Sequence, residues 1–543
     1  MDYNKLADFL FPDVIKTPDE LEAIYPERKL PDGAKVTRFA PSPTGFVHFG
    51  GLFPVIVCER LAHQSGGVFY LRIEDTDTKR EVKGAELDII KTFGDFGFKF
   101  DESIVCGGAY GPYRQSERKE IYHVYAKKMV SEGKAYPCFC TAEQLTEMRN
   151  EQMNIKQTPG YYGKYAKCRD LTYEQIEQNI KSGIPYVLRL KSFGSEENKI
   201  KTTDLIKGTI EISENFIDHI ILKSNGMPDY HFAHAVDDHL MRTTHVVRGE
   251  EWLPSLPYHI QLFNALGFKL PKYLHLAQLM RLDGTAKKKL SKRDKGAGLS
   301  SYISDGYAPE CVVEYILTLL NSNFEDWRRA NPTLDINDFP FSIKKMSASG
   351  SLFDLEKLSD VSKNVISRMT TEQVFQKLTK WAESYDEPFA ALLKRDTEYT
   401  KKILSIGRGG AKSRKDFALW SEVKPLISFF FDELFKITDQ INGFDKSDIK
   451  TASDLFCDSY NAQDDQNVWF EKVKTIAEKI GFCPNMKEYK ENPDKYKGNV
   501  GDVSSFIRIA VTGRQNSPDL YTVMQIIGSE KIKDRIRAYK ESL

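Results

Sequence analysis

The 543-residue chain is marked first by what it lacks. No apolar run approaches the ~20 residues that a helix needs to span a bilayer, which argues against a membrane protein. Cysteines number only eight, too few for a disulfide framework, and this favours a reducing compartment such as the cytoplasm. The 77 basic and 77 acidic residues cancel, so a nucleic-acid partner must be held by local patches of positive charge.

What is present is an ordinary globular composition with the alternating pattern of an α/β protein. Hydrophobic residues make up 41% of the chain, and its length predicts about three or four domains. KVTRFA is strand-like, a helix-capable segment follows, and VFYLRI is a second strand-like run before an acidic turn and a helix at about 82–93. This order of elements predicts a parallel sheet.

Three regions depart from this pattern. The proline-rich residues 1–34 lack the basic region of a signal or transit peptide, and we expect them either to pack on the body or to float. Residues 118–229 combine helix-period segments, cysteines and strand-like runs, which predicts an insertion with its own core. The α/β pattern resumes at 230, and beyond about residue 307 the chain reads as almost entirely helical.

The segment RFAPSPTGFVHFGG, residues 38–51, follows the first strand-like run. Its prolines predict a stiff turn, and its glycines let a phosphate or sugar approach the backbone. A helix beginning near Gly50 would direct free amide groups at an anion. His48 is then placed to hydrogen-bond a phosphate oxygen as charge develops in a transition state. The alternative is a rigid turn with a surface histidine.

The segment KKKLSKR, residues 287–293, is a run of cations. Lysine suits a mobile phosphate clamp because its charge is compact and its stem is flexible, which makes Lys289 and Lys292 candidates for that role. Taken alone, such a run also fits a solvated or nucleic-acid-facing loop.

The acidic turn after VFYLRI contains Glu74, Asp75 and Asp77. Ligands of open α/β sheets bind outside the carboxyl ends of the strands, where these carboxylates are expected. A carboxylate held there favours an ammonium group. The alternative for Thr76 and Asp77 is that one of them caps the following helix.

Three cysteines have the spacing of a metal site. Cys138 and Cys140 form a Cys-x-Cys pair, and Cys168 follows 28 residues after Cys140. Thiolates at short spacing in a reducing compartment predict a structural zinc ion. A fourth ligand is missing, so the alternative is three free cysteines without a metal.

The two segments around His48 and Lys292 together resemble the two signatures of class I aminoacyl-tRNA synthetases. RFAPSPTG followed by HFGG is similar to the form found in glutamyl-tRNA synthetases, because Ala40 and Ser42 stand where glutamine-specific relatives carry Pro and Glu. Gly51 replaces the family's last histidine, as is common among glutamyl enzymes. KLSKR resembles the second signature and follows about 240 residues later, in the family's order.

The resemblance implies an α/β fold: a Rossmann-type parallel-sheet catalytic domain with an α+β insertion, followed by an all-α C-terminal anticodon-binding region. Residues 1–34 have no counterpart in the family. The remaining regions are the catalytic halves at 35–117 and 230–285, an acceptor-arm-binding insertion at 118–229, a stem-contact region at 286–370 and the anticodon-binding domain at 371–543.

The resemblance also implies site residues. A guanidinium selects the side-chain carboxylate of glutamate over a carboxamide, although surface arginines in ion pairs are the alternative. The positions that match the family's glutamate pocket are Arg38, Ala40, Ser42, Glu74, Tyr230 and Arg248, with His234 where some members carry Asn. The positions that match its ATP contacts are Ser42, Thr44, His48, Gly50, Glu251, Met280, Lys289 and Lys292. His48, Lys289 and Lys292 are the expected catalytic residues.

Some bacterial members of this family bind zinc through a Cys-x-Cys pair, a tyrosine and a later cysteine. By spacing, Tyr161 matches that tyrosine, with Tyr165 as its competitor. The resemblance therefore implies a zinc site made of Cys138, Cys140, Cys168 and one of these two tyrosines.

The activity that the resemblance implies is glutamate–tRNA ligation. ATP, with Mg²⁺, activates L-glutamate to glutamyl-adenylate, and the glutamyl group is transferred to the 3′ end of tRNA(Glu). A monomer is expected. Two alternatives stay open: a synthetase paralogue that transfers glutamate to a modified tRNA base, and a non-catalytic tRNA-binding protein on a synthetase scaffold. The long C-terminal region argues against the first, and the presence of His48 and Lys292 argues against the second.

Overall fold

The computed structural model describes residues 1–43, 47–77, 82, 84–289, 298–410 and 413–543. The chain forms two compact units, residues 1–301 with 313–354 and residues 302–312 with 355–543. The strands found in the described residues are β1 (Val36–Phe39), β2 (Val68–Leu71), β3 (Ala135–Cys138), β4 (Val187–Leu190), β5 (Lys199–Asp204), β6 (Gly208–Ser213), β7 (Ile220–Leu222), β8 (His245–Gly249), β9 (Lys272–Leu276), β10 (Leu279–Asp283), β11 (Ala286–Lys289) and β12 (Ser351–Leu352).

Helices make up much of both units. Across the same described ranges, no helix is both long and apolar enough to cross a bilayer. The α-helices are α1 (Tyr3–Leu10), α2 (Pro18–Ile24), α3 (Leu52–His63), α4 (Ala85–Asp95), α5 (Lys119–Ser131), α6 (Ala142–Asn154), α7 (Tyr173–Lys181), α8 (Tyr230–Leu240), α9 (Leu256–Leu266), α10 (Leu299–Asp305), α11 (Pro309–Leu320), α12 (Phe324–Ala330), α13 (Leu355–Arg368), α14 (Thr371–Tyr385), α15 (Glu387–Arg395), α16 (Thr397–Ser405), α17 (Val423–Ile427), α18 (Lys446–Ser459), α19 (Gln466–Lys479), α20 (Met486–Glu491), α21 (Val500–Thr512), α22 (Leu520–Ile527) and α23 (Ser529–Ser542).

The first unit is built around parallel strands. β1 and β2 pair in parallel, with Arg38 opposite Tyr70. β8 and β9 pair in the same manner, with Arg248 opposite His275. The β-branched and aromatic residues of these strands are mostly buried, as expected of a parallel sheet with helices packed on its faces. The predicted α/β class is confirmed.

The predicted insertion contributes to two sheets. β3, β4 and β7 form an antiparallel sheet of their own. The hairpin of β5 and β6 instead joins β9, through a parallel bridge between Asp204 and Tyr273. Part of the segment 118–229 therefore extends the parallel sheet. The hairpin brings Asp204 within 2.8 Å of Nδ1 of His275 on β9.

The N-terminal extension packs on the first unit, so the first of the two expectations for residues 1–34 is the correct one. Leu6 of α1 and Leu21 of α2 are buried in the core that α5 and α8 also build. Arg28 forms two hydrogen bonds with the Glu102 carboxylate, of 2.7 and 2.9 Å. Glu22 accepts a hydrogen bond from Arg242, just beyond the end of α8 (2.6 Å). The extension thus fastens the C-terminal end of α8.

The helix predicted at 82–93 begins three residues later than expected. Gly84 occupies the position before α4 in a left-handed conformation, with φ of 83°, which costs glycine less than any other residue. The alternative in which Thr76 or Asp77 caps this helix is therefore wrong, because Gly84 is the N-cap residue. Beyond residue 354 the described elements are all helical, as the sequence predicted.

Candidate active site

A cavity of about 620 Å³ lies where β1, β2 and β8 end. Ligand sites of parallel sheets occur at this edge. It is lined by six of the seven residues that the resemblance assigns to an amino-acid pocket: Arg38, Ala40, Ser42, Glu74, Tyr230 and Arg248. Residues that are 210 positions apart in the sequence thus share one wall.

Arg38 is held by the Asp238 carboxylate of α8. Its Nε donates to both oxygens of Asp238, at 3.1 and 3.2 Å, and Asp238 also accepts from Nη1 of Arg72 (2.7 Å). Burial alone would raise the pKa of Asp238, but the charges of Arg38 and Arg72 outweigh it and hold that pKa well below its usual value. Asp238 is therefore ionised, and the hydrogen bonds of Arg38 with the described residues use only Nε.

Arg248 is held by neutral groups instead. Its Nε donates to Nε2 of His275 (3.0 Å), and its Nη1 donates to Nδ1 of His259 (3.1 Å). The guanidinium lies 4.7 Å from the centre of the Tyr273 ring, a cation–π distance. Its Nη2 is buried and has no hydrogen-bond partner in the part of the chain that the structure describes. A ligand oxygen in the cavity can satisfy this donor.

Among the described residues, Glu74 is one of three carboxyl groups in the cavity wall, with Asp77 and Asp229. Burial raises the pKa of this carboxyl to about 7, against the opposing charges of Arg72 and Arg38. Nη2 of Arg72 donates to its Oε1 (3.1 Å). The carboxylate is thus half-ionised near neutral pH and gains from a ligand cation.

His234 does not line this cavity. The side chain is fully buried in α8, where its Nδ1 lies 2.8 Å from Asp238 and its Nε2 lies 3.1 Å from the Tyr273 hydroxyl. The structure therefore does not bring His234 to the cavity wall with the other predicted residues, and its observed contact is with the carboxylate that holds Arg38. The acidic-turn residues also differ from one another: Asp75 accepts hydrogen bonds from Ser116, whereas Glu74 and Asp77, with the neighbouring Thr76, line the cavity.

His48 connects the two signature segments. It forms an antiparallel bridge with Gly298, five residues after the end of the KKKLSKR segment, and the amide of Leu299 donates to the carbonyl of Val47 (3.1 Å). A short 3-10 helix at Phe49–Gly51 leads from His48 into α3. A Cβ on Gly50 would lie only 3.2 Å from Nδ1 of His48, so glycine here leaves room for the ring.

The remaining ATP candidates are only partly described. Met280 and Lys289 are opposite each other in the hairpin of β10 and β11, and Glu251 is exposed in the turn after β8. Thr44 and Lys292 lie outside the described residues. The hairpin and the His48 bridge place Lys289 and Gly298, on either side of Lys292 in the sequence, in the first unit.

Several residues of the cavity wall were not predicted from the sequence, among them Lys223, Asp229 and Trp252. Lys223 follows β7 of the insertion, and its Nζ donates to the carbonyl of Thr76 (3.1 Å). Trp252 lies 4.6 Å from the Tyr230 ring, centre to centre. Nothing in the sequence around Lys223 indicates that it belongs to the site. Trp252 could have been predicted, because it directly follows the RGEE segment that contains Arg248.

The three cysteines do form a cluster. Their sulfur atoms all lie within 4.8 Å of one another, and the Tyr161 hydroxyl lies 3.3 Å from Sγ of Cys140. Tyr165 instead donates to Glu151 (3.1 Å). Hydrogen bonds from the other two cysteines lower the pKa of Cys138, which favours a thiolate there. Three sulfurs and one phenol oxygen fit the four-coordinate donor set of zinc.

Known proteins resemble the chain over its full length. Residues 35–360 match the family described as "tRNA synthetases class I (E and Q), catalytic domain", and residues 373–540 match an "Anticodon binding domain". A glutamate–tRNA ligase of Acetivibrio thermocellus is 50% identical over 99% of this chain and 100% of its own length. One of Clostridium perfringens (strain 13) is 48% identical over 99% of this chain and 100% of its own length. Because these two alignments include nearly all of residues 1–34, the prediction that this extension has no counterpart in the family is wrong, although the family model itself begins at residue 35.

A solved structure agrees with these relatives. The crystal structure of a glutamate tRNA ligase from Elizabethkingia meningosepticum in complex with its amino acid has a TM-score of 0.76 at 27% identity, and the match covers 94% of this chain and 99% of that one. The predicted resemblance is confirmed: this chain belongs to the class I tRNA synthetases of the glutamate and glutamine type.

Proposed function

We propose that the protein is a glutamate–tRNA ligase that uses the cavity described above as its glutamate site. The observation that carries the proposal is the meeting of Arg38, Arg248 and Glu74 in one cavity. The wall also contains Lys223, Asp77 and Asp229. Within it, the two guanidinium groups and the Glu74 carboxylate complement the charges of an amino acid with two carboxylates and one ammonium group. The ligase relatives, at about half identity over the whole length, support the same activity.

In the first step, the α-carboxylate of glutamate attacks the α-phosphorus of magnesium-bound ATP, and pyrophosphate leaves. Arg248 binds the side-chain carboxylate, Glu74 pairs with the α-ammonium group, and Arg38 adds positive charge to the same wall. His48 donates to a phosphate oxygen, and Lys289 and Lys292 neutralise the charge of the leaving pyrophosphate. The protein acts by positioning and electrostatics, without a covalent intermediate.

In the second step, a ribose hydroxyl at the 3′ end of tRNA(Glu) attacks the glutamyl-adenylate, and AMP leaves. The match of residues 373–540 to an anticodon-binding domain supports a tRNA substrate held far from its 3′ end. It also favours a ligase over the base-modifying paralogue. The domain roles assigned to residues 118–229, 286–370 and 371–543, the cytoplasmic location and the monomeric state remain predictions.

Aminoacylation assays test this proposal directly. The purified protein should charge tRNA(Glu) with glutamate in the presence of ATP and should not charge it with glutamine. Periodate-oxidised tRNA(Glu), which lacks an intact terminal ribose, should accept no glutamate. Charging of the oxidised tRNA would instead indicate transfer to a base, and failure to charge either tRNA would favour a non-catalytic scaffold.

The role of Glu74 predicts an acidic limb in the pH profile. Below the pKa of about 7 the carboxyl is neutral and no longer pairs with an ammonium group. We therefore expect kcat/KM for glutamate to fall about tenfold per pH unit below this value. Glu74→Gln should lower kcat/KM and abolish the limb, and a limb that persists in this variant would assign it to another group.

The cysteine cluster predicts one bound zinc ion, held by Cys138, Cys140, Cys168 and Tyr161. Such an ion would supply structural crosslinking of the insertion rather than chemistry. The untagged protein should contain about one zinc per chain, and Cys140→Ser should lose most of it. Cys457→Ser, at a half-buried cysteine of the second unit, is the matched control and should keep its zinc. Equal metal content in the two variants would contradict the site.

A further inference from the structure

Arg248 is surrounded by buried histidines. His231 and His234 of α8, His259 of α9 and His275 of β9 lie around it, and the last two are its hydrogen-bond partners. The proposed function assigns no role to His259 or His275. Both are fully buried, and neither lines the cavity.

His275 is locked in one neutral tautomer. Its Nδ1 donates to Oδ2 of Asp204 (2.8 Å), which also accepts the backbone amide of His275 (3.0 Å). The other oxygen of Asp204 accepts the amides of Ile206 and Lys207, so the carboxylate is fixed at the end of β5. With the proton at Nδ1, the lone pair of Nε2 accepts from Arg248.

His259 is neutral for a different reason. Burial, together with the charges around it, lowers its pKa well below the usual value, and its Nδ1 accepts from Arg248. The proton is then at Nε2, which lies 2.7 Å from Nδ1 of His231. Burial and the charge of Arg248 lower the pKa of His231 to about 4, so this ring accepts the hydrogen bond without adding charge.

Arg248 is therefore fixed in orientation, but no negatively charged group among the described residues is hydrogen-bonded to it. Arg38 shares its charge with Asp238, but both hydrogen-bond partners of Arg248 are uncharged rings. A carboxylate partner would have neutralised Arg248 before any substrate arrived. A buried guanidinium with one donor unpaired gains most from a ligand carboxylate and much less from a carboxamide.

We propose that His259 and His275 are specificity-determining positioning residues. As neutral acceptors they fix the Arg248 guanidinium without neutralising it, so that only an amino acid with a side-chain carboxylate completes the site. This inference rests on the proposed glutamate-ligase function. Asp204 acts through His275, one imidazole away from the arginine.

The test is a pair of substitutions that differ only in charge. His259→Gln keeps an acceptor for Arg248, whereas His259→Glu places a carboxylate there. In aminoacylation of tRNA(Glu), His259→Gln should keep the ratio of kcat/KM for glutamate over glutamine within about threefold. His259→Glu should lower this ratio by about a hundredfold, mainly through KM for glutamate. A packing role would affect both amino acids alike, and equal ratios in the two variants would overturn the inference.

A second pair keeps the test decisive if His259→Glu does not fold. His275→Leu removes the acceptor and should raise KM for glutamate at least about tenfold with kcat nearly unchanged, and His275→Gln should restore most of the affinity. Unchanged KM in His275→Leu would overturn the inference. His219→Gln is the control, because that histidine stacks on Tyr258 without contacting Arg248, and its ratio should match wild type. A wild-type protein that charges no glutamate would refute the proposed function itself.

Discussion

Arg248→Gln is expected to lower kcat/KM for glutamate by about 10² to 10³-fold. The variant keeps a polar side chain of similar reach but removes the charge that faces the substrate carboxylate. Truncating one partner of a buried, hydrogen-bonded charge pair costs about 2–5 kcal/mol. This is a loss of about 30- to 5000-fold, and the expected value lies inside that range. Most of the loss should appear as a higher KM for glutamate. The ratio of kcat/KM for glutamate over glutamine should fall at the same time.

The matched control for this variant is Arg329→Gln. Arg329 is exposed in α12 of the same unit, where it pairs only with Asp326 among the described residues. This substitution should leave the kinetics within about twofold of wild type, because surface ion pairs contribute little. If Arg248→Gln behaved like its control, the glutamate carboxylate would have to bind elsewhere.

His48→Ala should produce the opposite kinetic pattern. A donor that acts on the developing charge of the transition state is worth about 10² to 10³ in kcat, and its loss leaves ground-state binding almost unchanged. We expect KM for glutamate to stay within about threefold of wild type. Single-turnover measurement of adenylate formation, with tRNA bound, would assign the loss to the first step.

Two neighbouring glycines provide a finer test of the His48 ring. A Cβ at Gly50 would meet the ring at 3.2–3.3 Å, whereas a Cβ at Gly51 would meet Val47 at an ordinary 3.5 Å. Gly50→Ala should therefore displace the imidazole by a few tenths of an ångström and lower kcat about tenfold. Gly51→Ala should be tolerated. Equal rates in the two variants would show that the ring position does not limit the reaction.

The sequence predicted the fold and much of the cavity wall because motif residues sit at strand ends. Arg38 and Arg248 each close a strand-like run, and parallel strands bring their carboxyl ends to one edge. The predicted start of α4 was too early, because the helix is preceded by Gly84 in a left-handed conformation and not by a capping Thr76 or Asp77. His234 was assigned to the pocket because a family position was carried over without knowledge of which face of α8 is buried.

Other parts of the site had no local signal. His231, His259 and His275 come from three elements, and nothing in their spacing places them around one guanidinium. Asp204 lies in a hairpin that the sequence assigned to the insertion. Only the pairing of this hairpin with β9 brings Asp204 next to His275, the partner of Arg248. Tertiary contacts of this kind fix the charge balance of the cavity, and composition or periodicity does not reveal them.

The contact between Glu22 of the N-terminal extension and Arg242 has a consequence for biosynthesis. Glu22 and its partner Arg242 are 220 residues apart, so this ion pair cannot form until well after α5, the helix on which α1 and α2 pack, has been synthesised. At about 5–20 residues per second, the delay between the synthesis of Glu22 and that of Arg242 is roughly 10–45 seconds. During the later part of that interval Leu6 and Leu21 can pack against α5, but the part of their core that α8 builds is still missing.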